Sequence, residues 1–138
     1  MSGSGTALVE KIYKLWHAGN VEALFENLTE DFAFDQKACK EDTIYAGRCC
    51  GQQNILQRFA TIQENWEILK YTPIELIGDG ERVAARNAIV YKNRHTGQVL
   101  ETEVAHFWTF KDGKADELVE FFDTGLVARM EPHNKAMN

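Results

Sequence analysis

The stretch from 104 to 123, "VAHFWTFKDGKADELVEFFD", contains two segments of alternating side chains joined by a glycine-containing turn. Successive side chains of a strand point to opposite faces, so each segment predicts a strand with one buried face. His106 lies between apolar residues in the first segment, and Glu120 does so in the second. Titratable groups at such interior positions make this hairpin the candidate for a functional site.

The turn sequence at 111–114, "KDGK", fits two hairpin geometries. A two-residue Asp-Gly turn brings His106 to the face that carries Asp123. A three-residue loop with a left-handed Gly113 brings His106 to the face of Glu120. Periodicity alone leaves both registers open, so the hairpin predicts either a His–Glu or a His–Asp pair.

Three further features place the hairpin in a sheet that follows a set of helices. Alternation and turn signals predict four strands, at 68–78, 82–93, 98–110 and 115–123, which form an antiparallel meander. Apolar residues at helical spacing predict three helices, at 6–18, from Asn20 onward, and from Gln52 to about Trp66. A short strand is expected at 30–36 and a loop at 37–50. Helices followed by a meander define an α+β fold in one domain over 1–138.

Some parts of the chain are expected to lie outside this core. Residues 1–5 are interpreted as a disordered end or a vector-derived remnant, and the tail after about 128 as loose. Tyr13 lies beside the apolar stripe of the first helix and is expected to be exposed or at the mouth of a pocket.

Composition excludes several classes of function. The net charge of −6 with no cluster of Lys or Arg disfavours nucleic acid and anionic membrane surfaces as partners. No apolar run approaches the roughly 20 residues that span a bilayer, and no secretory signal is evident. Cys39, Cys49 and Cys50 suit neither a disulfide framework nor a zinc site, so we expect reduced thiols, a cytoplasmic location and no metal.

The order of several segments over about 9–127 resembles the SnoaL-like and ketosteroid isomerase-like families of the nuclear transport factor 2 superfamily. The segments that carry the resemblance are "LWHAGNVEALFENLTEDFAF", "YAG" with "QNILQRFA", "GDGERVAAR", "TG" and "HFWTFKDGKADELVEFFD". The resemblance implies a cone-shaped curved antiparallel sheet wrapped by N-terminal helices (an α+β barrel), which encloses a pocket and commonly forms a homodimer. It also favours the three-residue loop, because SnoaL-like cyclases are expected to place a histidine and an acid where His106 and Glu120 stand.

A pocket of this kind would hold a small apolar or amphipathic ligand. The aromatic residues expected to line it are Trp16, Phe34, Phe59, Trp66, Trp108 and Phe122. Arg86 lies on a predicted inner strand, and a buried arginine needs a partner such as Glu120. If Arg86 instead faces outward, it is an ordinary solvated side chain.

The matched positions differ from those of two related enzyme groups. The resemblance places Ile12, Gln36 and His106 where the isomerases have a tyrosine and two acids, so steroid isomerisation by that route is disfavoured. It places Arg86 and Glu120 on two members of the Asp–Arg–Asp set of the limonene epoxide hydrolases, but Ala88 replaces the third. These matches imply that Gln36 and Ala88 contact the ligand.

Two hypotheses about function follow. In the first, the protein is a cofactor-free acid/base enzyme acting as a cyclase, isomerase or hydratase on an apolar, oxygenated substrate. Glu120 would then move the proton while His106 and Arg86 stabilise charge. In the second, the domain binds a ligand or dimerises without chemistry, since this fold hosts both roles.

Overall fold

A curved sheet of six strands, covered on one face by helices, forms the body of the molecule. The fold is that of a computed structural model, which describes residues 2–131 and the side chains from Gly5 onward. The helices are α1 (Ser2–His17), α2 (Val21–Phe25), α3 (Gln52–Asn65) and α4 (Thr124–Met130). The strands are β1 (Leu28–Gln36), β2 (Gly47–Cys50), β3 (Trp66–Gly78), β4 (Arg82–Asn93), β5 (Val99–Lys111) and β6 (Lys114–Phe121).

The strand order β2-β1-β6-β5-β4-β3 confirms the predicted meander. Strands β3 to β6 pair with their neighbours in antiparallel fashion, whereas β1 lies parallel to β6. The sheet is therefore mixed, and the expectation of a wholly antiparallel sheet is wrong at this one ladder. It is also open, because β2 and β3 stand at its two edges, so the predicted cone is not a closed barrel.

The β5–β6 hairpin combines features of both predicted registers. Its turn contains two residues, Asp112 and Gly113, both with positive φ, so the three-residue loop is wrong. A bulge follows at once, where the register shifts by one residue between Phe110 and Thr109. Beyond the bulge His106 pairs directly with Glu120, so the His–Glu register is confirmed although the predicted turn is not.

Helix α1 lies against the inner face of β3 and β4. Its fully buried side chains, Val9, Ile12, Tyr13 and Trp16, follow the spacing of one helical face. Tyr13 is 3% exposed and belongs to this face, so its expected position at the surface or mouth is wrong. The helix begins at Ser2 and includes 2–5, which were expected to be a disordered end or a vector-derived remnant.

Two elements lie where no regular structure was predicted. Strand β2 falls within the expected loop at 37–50 and pairs with β1. Helix α4 covers Thr124–Met130 and starts from the side chain of Asp123, which accepts from the Leu126 N–H. The part of the expected loose tail that the structure describes is therefore not loose, since α4 extends to Met130 and Glu131 is buried, and 132–138 lie outside the described residues.

The other structural expectations concern thiols and membranes. The three cysteines are free, with Cys39 and Cys50 exposed and Cys49 half-buried. Within residues 2–131, no helix has the length and apolar character needed to cross a membrane.

Candidate functional site

A cavity of about 110 Å³ lies between the concave face of the sheet and the helices. One buried water needs roughly 10–15 Å³, so this space admits an organic molecule. Most of its wall is aromatic or aliphatic. Seven of the eight residues expected to line the pocket or contact the ligand do so, namely Trp16, Phe34, Gln36, Phe59, Trp66, Trp108 and Phe122.

His106 and Glu120 meet in the wall of this cavity. Both line it, and His106 Nε2 lies 2.7 Å from Glu120 Oε2. Their side chains are 3% and 14% exposed, so the pair is shielded from bulk water but open to the cavity. Direct pairing of the two positions across β5 and β6 produces this contact.

A second contact to Glu120 comes from Gln36 at the end of β1. Gln36 Nε2 donates to Glu120 Oε1 at 2.9 Å, and Arg58 Nη1 on α3 donates to Gln36 Oε1 at 2.6 Å. A guanidinium group can only donate, so Arg58 turns the amide oxygen toward itself. The amide N–H groups of Gln36 therefore face the carboxylate.

Tyr13 and Trp108 fix the other side of the histidine. Trp108 Nε1 donates to Tyr13 Oη at 2.9 Å, and Tyr13 Oη lies 2.8 Å from His106 Nδ1. Asn87 Nδ2, also a donor, lies 3.4 Å from the same nitrogen. The Glu120 carboxylate requires a proton on Nε2 of a neutral imidazole, so Nδ1 accepts the hydroxyl hydrogen of Tyr13.

These contacts form one chain of hydrogen bonds, the Glu120 network, which consists of Arg58, Gln36, Glu120, His106, Tyr13 and Trp108. Donor-only groups stand at both ends, so every hydrogen bond along both arms is directed toward Glu120. A carboxylate offers about four acceptor positions, and the two named bonds occupy two. Glu120 thus retains acceptor capacity toward the cavity.

Arg86 and Ala88 do not belong to the site. Arg86 is 53% exposed in its side chain and lies near Glu75 and Glu103, so its predicted place beside Glu120 is wrong. The reason is that the odd-numbered side chains of β4, including Asn87, face the interior, whereas Arg86 is even-numbered and faces outward. Ala88 shares the outward face with Arg86 and is absent from the cavity wall.

Four residues of the site were not predicted from the sequence, although the sequence pattern indicated the buried position of three of them. Asn87 and Tyr91 follow the same parity as the apolar residues of β4, and Tyr13 lies one helical turn after Val9. Arg58 gave no signal. Its role depends on a contact with Gln36, 22 positions away in the sequence.

Burial of the tyrosines predicts a distinct response to alkaline pH. All four, Tyr13, Tyr45, Tyr71 and Tyr91, line the cavity, and loss of water raises the pKa of each, in Tyr45 to about 12. An unfolded tyrosine ionises near pH ~10, so the folded state loses stability as pH rises above that value. We expect tyrosinate absorbance to appear together with loss of the circular-dichroism signal. Gradual ionisation near pH ~10 in a protein that stays folded would contradict this.

The fold and the cavity together define a class of protein, an α+β cone with a ligand-sized pocket beneath a curved sheet. The sequence profile of the SnoaL-like domain family matches residues 9–118. The chain therefore belongs to the SnoaL-like family of the nuclear transport factor 2 superfamily, as the sequence resemblance implied. A search of curated protein sequences returns no match.

Solved structures with the same fold include three that are informative. A nuclear transport factor 2-like protein of unknown function from Burkholderia pseudomallei has a TM-score of 0.82 and 20% identity over 94% of this chain and 98% of its own. A candidate polyketide cyclase from Xanthomonas campestris has a TM-score of 0.73 and 17% identity, covering 88% and 92%. TerC, co-crystallised with polyporic acid, has a TM-score of 0.82 and 19% identity, covering 92% and 97%. At these identities the likeness concerns the fold alone.

Proposed function

We propose that the protein is a cofactor-free acid/base enzyme in which Glu120 transfers a proton to or from a neutral, apolar, oxygenated ligand. The observation that carries this proposal is the convergence of two arms of hydrogen bonds on one carboxylate in the wall of an apolar cavity. Such a network orients the base and holds it in the form that accepts a proton. Cyclisation, isomerisation and hydration of such ligands all include a proton transfer of this kind.

The simplest step is removal of a proton from a carbon next to a carbonyl group. Glu120 accepts the proton, the electrons of the C–H bond form a C=C bond, and the carbonyl π electrons move to oxygen as an enolate. His106 supports the step by holding Glu120 through Nε2. Both ring nitrogens of His106 are already engaged, so we assign it a positioning role rather than direct contact with the enolate oxygen.

The wall of the cavity indicates the kind of ligand. The described residues that line it are almost all aromatic or aliphatic, and the one charged residue among them is the acidic Glu120. A neutral, flat molecule with a few oxygen atoms matches this wall better than an anion does. The co-crystallisation of TerC, a protein of the same fold, with polyporic acid supports a small organic ligand.

The proposal is tested with α-tetralone, a neutral bicyclic ketone with exchangeable hydrogens beside its carbonyl. Incubation with the protein in deuterium oxide is expected to replace those hydrogens with deuterium faster than buffer alone does, as followed by NMR. The reaction needs neither a natural substrate nor an added co-reactant. Binding of the ketone without any faster exchange would overturn the assignment of acid/base chemistry.

A second candidate is a ligand-binding module without chemistry. The observation that favours it is that His106 has no N–H left for a developing oxyanion. In that case the Glu120 network would orient an acceptor for a hydroxyl group of the ligand. Ketone binding without exchange would favour this candidate over the enzyme.

We also propose a homodimer formed through the outer face of the sheet. Phe107 and Phe121 on this face are 50% and 47% exposed and pack edge to face at 6.0 Å, and Ile77 of β3 is 60% exposed. Exposed apolar side chains in such proximity are typical of an interface. Sedimentation equilibrium is expected to show a dimer for the wild type and a monomer for Phe107→Glu. A monomeric wild type would contradict the dimer, while circular dichroism checks that the variant is folded.

A further inference from the structure

The hydroxyl group of Tyr91 has an unused hydrogen in the wall of the cavity. Trp16 Nε1 donates to Tyr91 Oη at 2.9 Å, and both residues line the cavity. An indole N–H can only donate, so the tyrosine oxygen acts as the acceptor and keeps its own hydrogen. Within the described part of the chain, no side chain or carbonyl accepts that hydrogen at hydrogen-bonding distance.

The His106 and Tyr13 donors next to Glu120 are already committed. His106 Nε2–H points to Glu120, and the hydroxyl hydrogen of Tyr13 points to His106. Arg86, the cation expected from the sequence, lies outside the cavity. Apart from the second N–H of the Gln36 amide, a ligand oxygen that gains electron density during proton transfer takes its donor from elsewhere in the wall, and the Tyr91 hydroxyl lies in that wall.

The position and the protonation state of Tyr91 suit that role. Its ring lies between those of Trp66 and Tyr71, with centroids 6.4 Å away in each case, so packing restricts its movement. Burial raises the pKa of Tyr91 well above its ordinary value, and the charge of Glu120 adds to the effect. A hydroxyl group that accepts from an N–H is also a better donor, because hydrogen bonds in a chain polarise one another.

We propose that Trp16 and Tyr91 form a donor subsite, in which the Tyr91 hydroxyl binds a carbonyl or similar neutral oxygen of the ligand. The inference rests on the proposed function, because it takes the ligand of the same cavity to be an oxygenated molecule that contacts Glu120. It adds a residue that selects ketones over hydrocarbons of the same shape. The same hydrogen bond would stabilise an enolate oxygen as it forms.

The test compares α-tetralone with tetralin, the hydrocarbon that lacks the carbonyl oxygen. Trp16, Trp66 and Trp108 all line the cavity, so quenching of tryptophan fluorescence reports the binding of either probe. Tyr91→Phe keeps the ring and removes the hydroxyl. It is expected to weaken the binding of α-tetralone about two- to tenfold, the usual effect of one hydrogen bond, and to leave tetralin binding unchanged.

A spectroscopic readout separates a direct contact from a change of shape. The carbon-13 shift of the carbonyl in labelled α-tetralone is expected to move toward its value in a hydrogen-bonding solvent on binding to the wild type. In Tyr91→Phe it should return toward the value found in an apolar solvent. Trp16→Phe serves as a second variant, since it keeps the hydroxyl but removes its N–H donor, and a smaller shift change is expected.

Each outcome decides the subsite separately from the proposed function. Equal weakening of both probes in Tyr91→Phe, no weakening of either, or binding of neither probe to the wild type would overturn the subsite. If exchange of α-tetralone occurs while Tyr91→Phe binds it normally, the subsite fails and the acid/base function stands. If the ketone preference depends on Tyr91 but no exchange occurs, the subsite stands and the acid/base function fails.

Discussion

Glu120→Gln is expected to slow deuterium exchange into α-tetralone by a factor on the order of 10²–10⁴, the usual contribution of a positioned general base. The amide has nearly the same shape as the carboxylate but cannot take up the proton. Binding of the ketone, followed by tryptophan fluorescence, should change only a few-fold. The expected result is therefore a large loss of turnover with little loss of affinity.

The variant also disturbs the Glu120 network, and this effect must be kept apart from the loss of the base. Gln36 and His106 both donate toward position 120, and a glutamine there can accept through its oxygen but not through its nitrogen. One donor then faces another, so thermal unfolding of the variant must be measured alongside exchange. Nitrogen-15 shifts of the His106 ring show whether the proton has moved from Nε2.

Arg86→Ala is the matched control. Arg86 carries a full charge on β4, two strands away from Glu120, but it faces solvent and only approaches Glu75 and Glu103 at 3.7–3.8 Å. Its removal should leave both exchange and ketone binding at the wild-type level. Equal exchange by the wild type and Glu120→Gln, or a loss in Arg86→Ala as large as in Glu120→Gln, would contradict the role given to Glu120.

His106 and Arg86 illustrate where sequence periodicity identifies the buried face of a strand and where it selects the wrong one of two adjacent residues. Alternation on β5 identified the inward face of His106, because Val104 and Trp108 flank it at every second position. On β6 apolar residues occur on both faces, so alternation left the face of Glu120 open and only the family resemblance favoured it. On β4 the run "VAARNAIVY" has small alanines on both faces, so Arg86 and Asn87 were both compatible with the interior. The larger side chains Val83 and Ile89 set the parity that the structure shows.

The hairpin between β5 and β6 shows a limit of a different kind. The two-residue Asp-Gly turn by itself would have put His106 on the same face as Asp123. The bulge next to the turn shifts the register by one residue, so that His106 pairs with Glu120 instead. A bulge beside a turn depends on contacts made elsewhere in the fold. The Ala115 N–H donates to the Asn27 carbonyl at 2.8 Å, and Asp116 accepts from Thr29 at 2.7 Å, so β1 holds the extra residue in place. Local sequence rules do not include such contacts.

Replacement of His106 and Glu120 by leucine, singly and together, should show what the pair contributes to stability. His106→Leu is expected to cost about 1.5–3 kcal/mol in free energy of unfolding, because it removes the N–H that Nε2 donates to the Glu120 carboxylate in a largely buried position. Glu120→Leu leaves the His106 and Gln36 donors without an acceptor, which costs about 1–3 kcal/mol.

The double variant is expected to be more stable than the sum of the two single effects by at least about 2 kcal/mol, because two apolar side chains of similar volume need no partner. Urea unfolding measures all four proteins, and the slope with denaturant checks that each unfolds in two states. The exposed neighbours Arg86 and Glu103, replaced by alanine in a parallel cycle, should couple by less than about 1 kcal/mol.

Comparing the stability of the double variant with its exchange activity shows whether the His106–Glu120 pair serves the ligand or the fold. A buried hydrogen-bonded pair is often no better for stability than apolar residues of the same shape that could replace both partners. A double variant that unfolds near the wild-type denaturant concentration, yet neither exchanges α-tetralone nor prefers it over tetralin, would show that the pair serves the ligand and not the fold. If the coupling were instead near zero, the 2.7 Å contact between His106 and Glu120 would have no energetic weight, and the Glu120 network could not act as a unit.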